Sequence, residues 1–390
     1  MKSVTSLKAG LMALCAAGLL AVSGPHALAQ AQKGSGAPLK IGLVSSLTGP
    51  GAFLGDPFSR AARMAVERTN AAGGINGRRV DLVVYDTEAS ADKSLVFVKK
   101  LISEDKVSVI LGPDFSGTVR AVLPVIDEAQ VPMLYNTPVV EPKPGSFHFT
   151  PWPSEETSYR VSLNSLKERK IRKLAVLATT DATGESGLKA LQALAPSYGV
   201  TVAPVERVEL QDKDATAQLT NIKAANPDAL YFIGSGAAVA VAARGYTRLG
   251  MRQPMMIGTG SVSATFPELL KGITPDTLIF PTYKMIVVDT LPANDPVKAK
   301  IVEFMKLYEE KQGKKADFFA GAGWDLANIA MEAMKRAGDD PKKIRDAIQQ
   351  IRNYPATMAV LSFSPENHRG AGPTAQVMGQ FKDGKFMATN

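Results

Sequence analysis

The chain alternates short apolar runs with stretches whose apolar residues recur at helical spacing. Leu39 to Leu47 is largely apolar and predicts a buried parallel strand. From Asp56 to Ala72, Phe58, Ala61, Ala62, Ala65 and Val66 share one helical face. Gly73-Gly74-Ile75-Asn76-Gly77 ends that helix and turns the chain. Strands at 80–85, 107–111 and 131–135 then alternate with helices at 91–103 and 116–128. Such an order implies a parallel, doubly wound sheet.

At Thr150-Pro151-Trp152-Pro153 the rhythm pauses, which marks a hinge or linker. It restarts with helices at 155–169, 184–197, 215–225 and 237–249, and strands at 173–179, 201–208, 229–233 and 255–258. Helices at 295–311, 318–337 and 342–351 follow, then late strands near 357–363 and 375–382. A second α/β sheet domain is the natural reading. The 390 residues, 45% of them hydrophobic, suffice for two cores.

The first residues have a different pattern. Lys2 and Lys8 precede an uncharged apolar run, Ala9 to Val22, and Ser23-Gly24-Pro25 breaks it. Ala27-Leu28-Ala29 supplies small residues for a cleavage site. This predicts a secretory signal peptide over 1–29, cleaved after Ala29, with a Gly/Ser/Ala-rich flexible lead-in over 30–37. A membrane anchor would need about 20 apolar residues. A lipoprotein would use Cys15, but Leu14 stands where a small residue is expected.

Cleavage would remove the only cysteine, so the mature chain must be stable without disulfides, which suits the periplasm. It would also remove Lys2 and Lys8, lowering the net charge from +8 to +6. The remaining charges are interspersed, which argues against a nucleic-acid arm.

Open α/β sheets bind ligands beyond the carboxyl ends of their strands. The loops there, 45–55, 112–118, 136–140, 180–185, 233–237 and 258–263, are rich in Gly, Ser, Thr and Asn. Ser116-Gly117-Thr118 opens a helix, where free N–H groups and hydroxyls suit an anionic oxygen. The plain alternative is that Ser116 or Thr118 only caps that helix. Enzyme signatures are missing. His148 alternates with Phe147 and Phe149 as a half-exposed strand residue would, and His368 falls in a polar loop. No Gly-x-Ser-x-Gly elbow, P-loop or metal-spaced His/Cys cluster occurs. Gly234-Ser-Gly236 and Gly258-Thr-Gly260 lack the third glycine of a dinucleotide fingerprint. No catalysis and no cofactor are expected.

Several spaced blocks agree with one family. Ile41-Gly-Leu-Val-Ser-Ser-Leu-Thr-Gly-Pro50, Gly55, Asn70-Ala-Ala-Gly-Gly-Ile-Asn-Gly77, Val84-Tyr85-Asp86 and Leu111-Gly112-Pro113 with Ser116-Gly117 closely resemble the periplasmic substrate-binding proteins of the branched-chain amino-acid (Leu/Ile/Val) type. The resemblance covers about 39–385. It implies the α/β, two-lobed type I fold, each lobe a doubly wound, mostly parallel sheet, closing on a ligand by hinge bending. It also implies three crossings, placed near 150–153, 279–281 and 354–358. The lobes are then 38–151 plus 281–355, and 152–280 plus 356–390. The expected partners are a small-molecule solute and an inner-membrane ABC permease, with no nucleic acid, and the receptor is expected to be a monomer. A ligand sensor for a signalling receptor is the alternative role.

The resemblance also implies ligand residues. Ser116 matches the serine that, with nearby backbone amides, holds the ligand carboxylate. Leu54, beside Phe53, falls where relatives place a side chain against the ligand. Tyr135-Asn136-Thr137-Pro138 departs from the family's Ala and Thr pattern, though Asn136 and Thr137 could donate hydrogen bonds. Thr183 stands where relatives often have tyrosine. Ser235 and Gly236 are further candidates, and Phe53, Phe115, Trp152 and Tyr283 offer apolar walls. Amino-acid binders hold the ligand ammonium with an acid, but the equivalent loop here, Gly258-Thr-Gly-Ser-Val262, has none. A buried ammonium without a carboxylate is costly. The expected ligand is therefore a small carboxylate, with room for an aromatic one, and not a standard α-amino acid. A one- or two-residue slip in the alignment would bring in Asp181, Glu185 or Asp325 instead, and Lys284 is a candidate for a second ligand acid.

Overall fold

The computed structural model describes residues 36–234, 238–259, 270, 277–382 and 384–389. The expected signal peptide lies outside them.

The first sheet holds β1 (Leu39–Ser45), β2 (Val80–Asp86), β3 (Val109–Leu111), β4 (Met133–Leu134) and β5 (His148–Phe149). Its order is β2-β1-β3-β4-β5, all parallel. Alternate residues of a strand face opposite sides, so a doubly covered strand must be apolar on both. β1 shows this directly. Leu39, Ile41 and Leu43 join one core with Phe58, Ala62 and Ala65 of α1 (Ala52–Ala71). Val44 joins another with Val98 and Leu101 of α2 (Ala91–Ser103) and Val119, Val122 and Ile126 of α3 (Ser116–Ala129).

The second sheet repeats the plan. β6 (Lys173–Thr179), β7 (Thr201–Val208), β8 (Ala229–Ile233), β9 (Met255–Ile257) and β10 (Leu278–Tyr283) are parallel. On one face α4 (Glu155–Glu168) and α5 (Ala182–Leu194) cover Leu174, Val176 and Ala178. On the other, α6 (Thr216–Ala224) and α7 (Ala238–Arg248) cover Ala175, Leu177 and Phe232.

After β10 the chain returns to the first sheet. There α8 (Lys298–Gln312), α9 (Phe318–Ala337) and α10 (Pro341–Gln349) complete its outer cover. A hairpin, β11 (Tyr354–Pro355) with β12 (Val360–Leu361), follows. β13 (Gln376–Lys382) then pairs antiparallel with β10, and β14 (Lys385–Ala388) with β13.

Residues 356–371, assigned from the sequence to the second lobe, pack in the first core through Ala356, Met358, Leu361, Phe363 and Ala371. The chain reaches the second sheet only at β13. β10 is fully buried, so the crossing that the resemblance implies near 279–281 falls inside a strand of the second sheet. Pro281 lies opposite Met378 on the antiparallel side. His148 and His368 are also buried rather than half-exposed or looped out, each 1% exposed.

α9 lies directly along α1 because Gly323 lets the backbones touch. A methyl at Gly323 would sit 2.0 Å from the Phe58 carbonyl oxygen. Gly323→Ala is expected to destabilise the chain by about 1–3 kcal/mol, the usual cost of overpacking. A lowered urea midpoint at unchanged slope would report it.

Candidate functional site

The loops at the carboxyl ends of β1, β3 and β4 are held together by one buried acid that the sequence reading passed over. Asp114 accepts hydrogen bonds from the Ser45 hydroxyl (2.6 Å), the Ser46 amide (2.8 Å) and the Asn136 amide nitrogen (3.3 Å). Burial pushes its pKa up to about 6, while these donors pull the other way. Asn136 in turn accepts from the Trp152 indole at 2.9 Å. The β1 loop, the α3 start, the β4 loop and the first crossing thus form one connected frame. Gly51 fits between Ser46 and Phe115, where a methyl would lie 2.7 Å from the Ser46 Cβ and 2.8 Å from the Phe115 ring.

The start of α3 separates the two hydroxyls. The Thr118 hydroxyl accepts from the Phe115 amide (3.2 Å) and donates to the Phe115 carbonyl (2.8 Å), so it makes the local helix-start bonds. Ser116 is half-buried on the first turn, and no described residue engages its hydroxyl.

Aromatic rings gather beside this frame. Trp152 meets Tyr283 edge-on at 5.2 Å and Phe318 at 6.0 Å. Phe318 contacts Phe319 at 4.3 Å, and Phe319 meets Phe53 at 6.1 Å. Phe53 remains 65% exposed, whereas Leu54 is buried. Burial raises the Tyr283 hydroxyl above its ordinary range, and the Gln376 side chain bonds to it.

The second lobe presents neutral groups and, on the opening turn of α4, the Glu155 carboxylate, which acts on Tyr283 electrostatically. Ser158, in the first turn of α4, donates to the Gln376 side chain (2.9 Å) and lies 3.0 Å from the Thr259 hydroxyl. Thr259 donates to the Pro281 carbonyl at 3.1 Å.

The structure therefore brings Phe53, Phe115, Ser116, Asn136, Trp152 and Tyr283 to one end of the first sheet and its crossings. Thr137 is buried there, its carbonyl accepting from the Thr150 hydroxyl. Thr183 is exposed on the first turn of α5, and its carbonyl accepts from Ser186. Ser235, Gly236 and residues 260–262 lie outside the described residues. Asp114, Ser158, Phe318, Phe319 and Gln376 were missed. The Phe318-Phe319 pair behind Asp317, which caps α9 by accepting from Ala320 at 2.8 Å, was the available signal.

The alternative charged residues have other partners. Asp181 caps α5 through the Gly184 amide, and Glu185 pairs with Arg207 at 3.1 Å. Lys284 pairs with Asp295 at 2.8 Å. Asp325 is buried and accepts from the Thr357 amide and hydroxyl and the Met358 amide, which anchors the β11–β12 hairpin. It also lines a recess of about 360 Å³ with Arg68, Trp324 and Tyr354. That recess is at the far end of α1, about 20 Å from Leu54 at 1.5 Å per residue. Among the described residues no group of His, Cys, Asp and Glu could hold a metal ion.

Burial raises Asp325 from 3.8 to about 7, so the folded chain keeps its proton where the unfolded chain has lost it. This contribution is complete below pH 4 and fades as pH rises through 7. Asp325→Asn lacks the titration. Urea unfolding at pH 5 and pH 8 should show the stability difference moving in the variant's favour at the higher pH.

The chain matches the periplasmic binding protein family over residues 38–385. It is similar to the leucine-, isoleucine-, valine-, threonine- and alanine-binding protein of Pseudomonas aeruginosa, with 23% identity over 80% of this chain and 82% of that protein. It also resembles Leu/Ile/Val-binding protein homolog 3 of Brucella melitensis, 25% identical over 90% of this chain and 93% of the relative. A crystal structure of a periplasmic binding protein type 1 from Bordetella pertussis aligns with a TM-score of 0.69 and 26% identity, covering 90% of this chain and 99% of that one. With its motifs, its two α/β lobes and its matched length all in agreement, this chain belongs to the periplasmic binding protein family in its type I form.

Proposed function

We propose that this chain is the solute-binding receptor of an ABC importer and that it holds a small carboxylate between its lobes. The lobes would be about 39–152 plus 284–372, and 155–283 plus 376–388, closing by hinge bending. The carrying observation is the contrast between the two sides of the cleft. The first lobe offers the Ser116 hydroxyl on the opening turn of α3, where N–H groups favour an anion, beside the Phe53, Phe319 and Trp152 rings. The opposing groups Ser158, Thr259 and Gln376 are neutral, and Glu155, on the same turn of α4 and near enough to raise the Tyr283 hydroxyl, is exposed to water. Such a site suits a carboxylate with an apolar or aromatic body better than an ammonium-bearing amino acid. The names of the Pseudomonas and Brucella relatives favour a second reading, a branched-chain amino acid held by the same clamp.

A thermal-shift screen of the mature protein separates the two. The panel holds leucine, valine, benzoate, phenylacetate, and aliphatic mono- and diacids. A ligand at 100 times its dissociation constant adds about 2.7 kcal/mol. Stabilisation by acids lacking an amino group is the expected result. Ser116→Ala should weaken that binding about 10- to 100-fold, since a hydrogen bond to a charged group is worth about 1.5–3 kcal/mol. Stabilisation by leucine or valine alone would overturn the carboxylate reading in favour of the second.

A further inference from the structure

One buried cation lies at the roots of two crossings and bonds to three backbone carbonyls and one carboxylate. Arg369 is 7% exposed. Its Nη1 donates to the Trp152 carbonyl at 2.8 Å. Its Nη2 donates to the Pro138 carbonyl (3.1 Å), the Val140 carbonyl (3.2 Å) and the Glu141 carboxylate (2.6 Å). Nε reaches the same carboxylate at 3.2 Å.

The backbone around Arg369 is zipped to the first crossing. The Thr150 amide donates to the His368 carbonyl at 3.1 Å, and the Gly370 amide to the Thr150 carbonyl at 2.9 Å. His368 fixes this strip from below. Its Nδ1 lies 3.1 Å from the His148 carbonyl and must donate, so Nε2 is left to accept from the Gln349 amide at 2.8 Å. Its ring stacks on Phe149 at 4.1 Å.

We propose that Arg369 is a positioning residue for the ligand cleft: it joins the strip 368–370, the loop bearing Asn136 and Thr137, and the Trp152 crossing into one unit that hinge motion carries as a whole. The planar fork is what allows this. Five N–H donors in fixed directions reach carbonyls from two separate segments, which the point charge of lysine cannot do. Glu141 is the outer partner, its side chain 71% exposed and screened by water, and glutamine there would keep an accepting oxygen for the fork. The inference rests on the cleft reading above, since its consequence for binding runs through Asn136 and Trp152.

The test needs no ligand at first. The chain has two tryptophans, so Trp324→Phe leaves Trp152 as the only indole emitter. In that background Arg369→Lys should shift Trp152 emission to the red and speed amide exchange across 136–140 at least tenfold, with exchange in β8 unchanged. Glu141→Gln should leave both readouts as in the parent. Wild-type exchange in 136–140, 150–152 and 368–370 should also show one common opening energy, a result that stands even if Arg369→Lys does not fold. Separate opening energies, or faster exchange spread evenly through β8, would overturn the inference. Benzoate and leucine titrations of the parent and of Arg369→Lys then address the cleft. If the parent binds neither probe while the exchange results hold, only the cleft reading fails. Equal binding by parent and variant would remove the proposed link between Arg369 and the ligand.

Discussion

Each central strand of this protein is apolar on both faces, and most of the remaining architecture follows from that constraint. Burying Ile41 on one side of β1 and Val44 on the other requires helices above and below the sheet. Helices on both faces leave polar backbone accessible only at the strand ends. The carboxyl ends of β1, β3 and β4 are therefore where a site can form. The second sheet obeys the same rule, with Leu174 and Ala175 pointing into different cores.

Loops at strand ends would be mobile without some internal order, and here a buried carboxylate supplies it. Asp114 is costly to bury, as its raised pKa shows, but it ties three loops together, its own and the two that supply its donors. Removing any one of them would leave charge uncompensated, so the frame has little freedom to rearrange. The chain of contacts continues through Asn136 and Trp152 to the ring cluster, which also includes residues from the returning segment at 283 and 318–319. The site thus consists of groups far apart in sequence, each held by hydrogen bonds or rings.

Legibility in the sequence followed element length and proximity along the chain. The sequence bounds strands such as Lys173–Thr179 and Ala229–Ile233 to the residue, because buried runs have a strong pattern. Two-residue strands such as Met133–Leu134 offer too little pattern to bound. The pattern at 357–363 suggests one longer strand of the other lobe, because the contact of Phe363 with Phe149 depends on the return of the chain. Family motifs pointed to Ser116 and the neighbouring loops. They could not reveal Phe319, Gln376 or Arg369, whose partners Phe53, Ser158 and Trp152 lie far away along the chain and leave no local periodicity.

The route of the chain has a kinetic consequence. The first sheet is complete by Phe149, yet the helix that seals α1 arrives only with Phe318–Ala337, and the strip beside Thr150 only with Arg369. A chain emerging from its N-terminus therefore carries a half-covered sheet until nearly all of it has been made. Contacts of such sequence separation are slow to close, and exposed apolar faces invite association while they wait. The protein is built to be finished last at the place where it began, so its opening segment must be kept from folding alone or shielded until the final residues arrive.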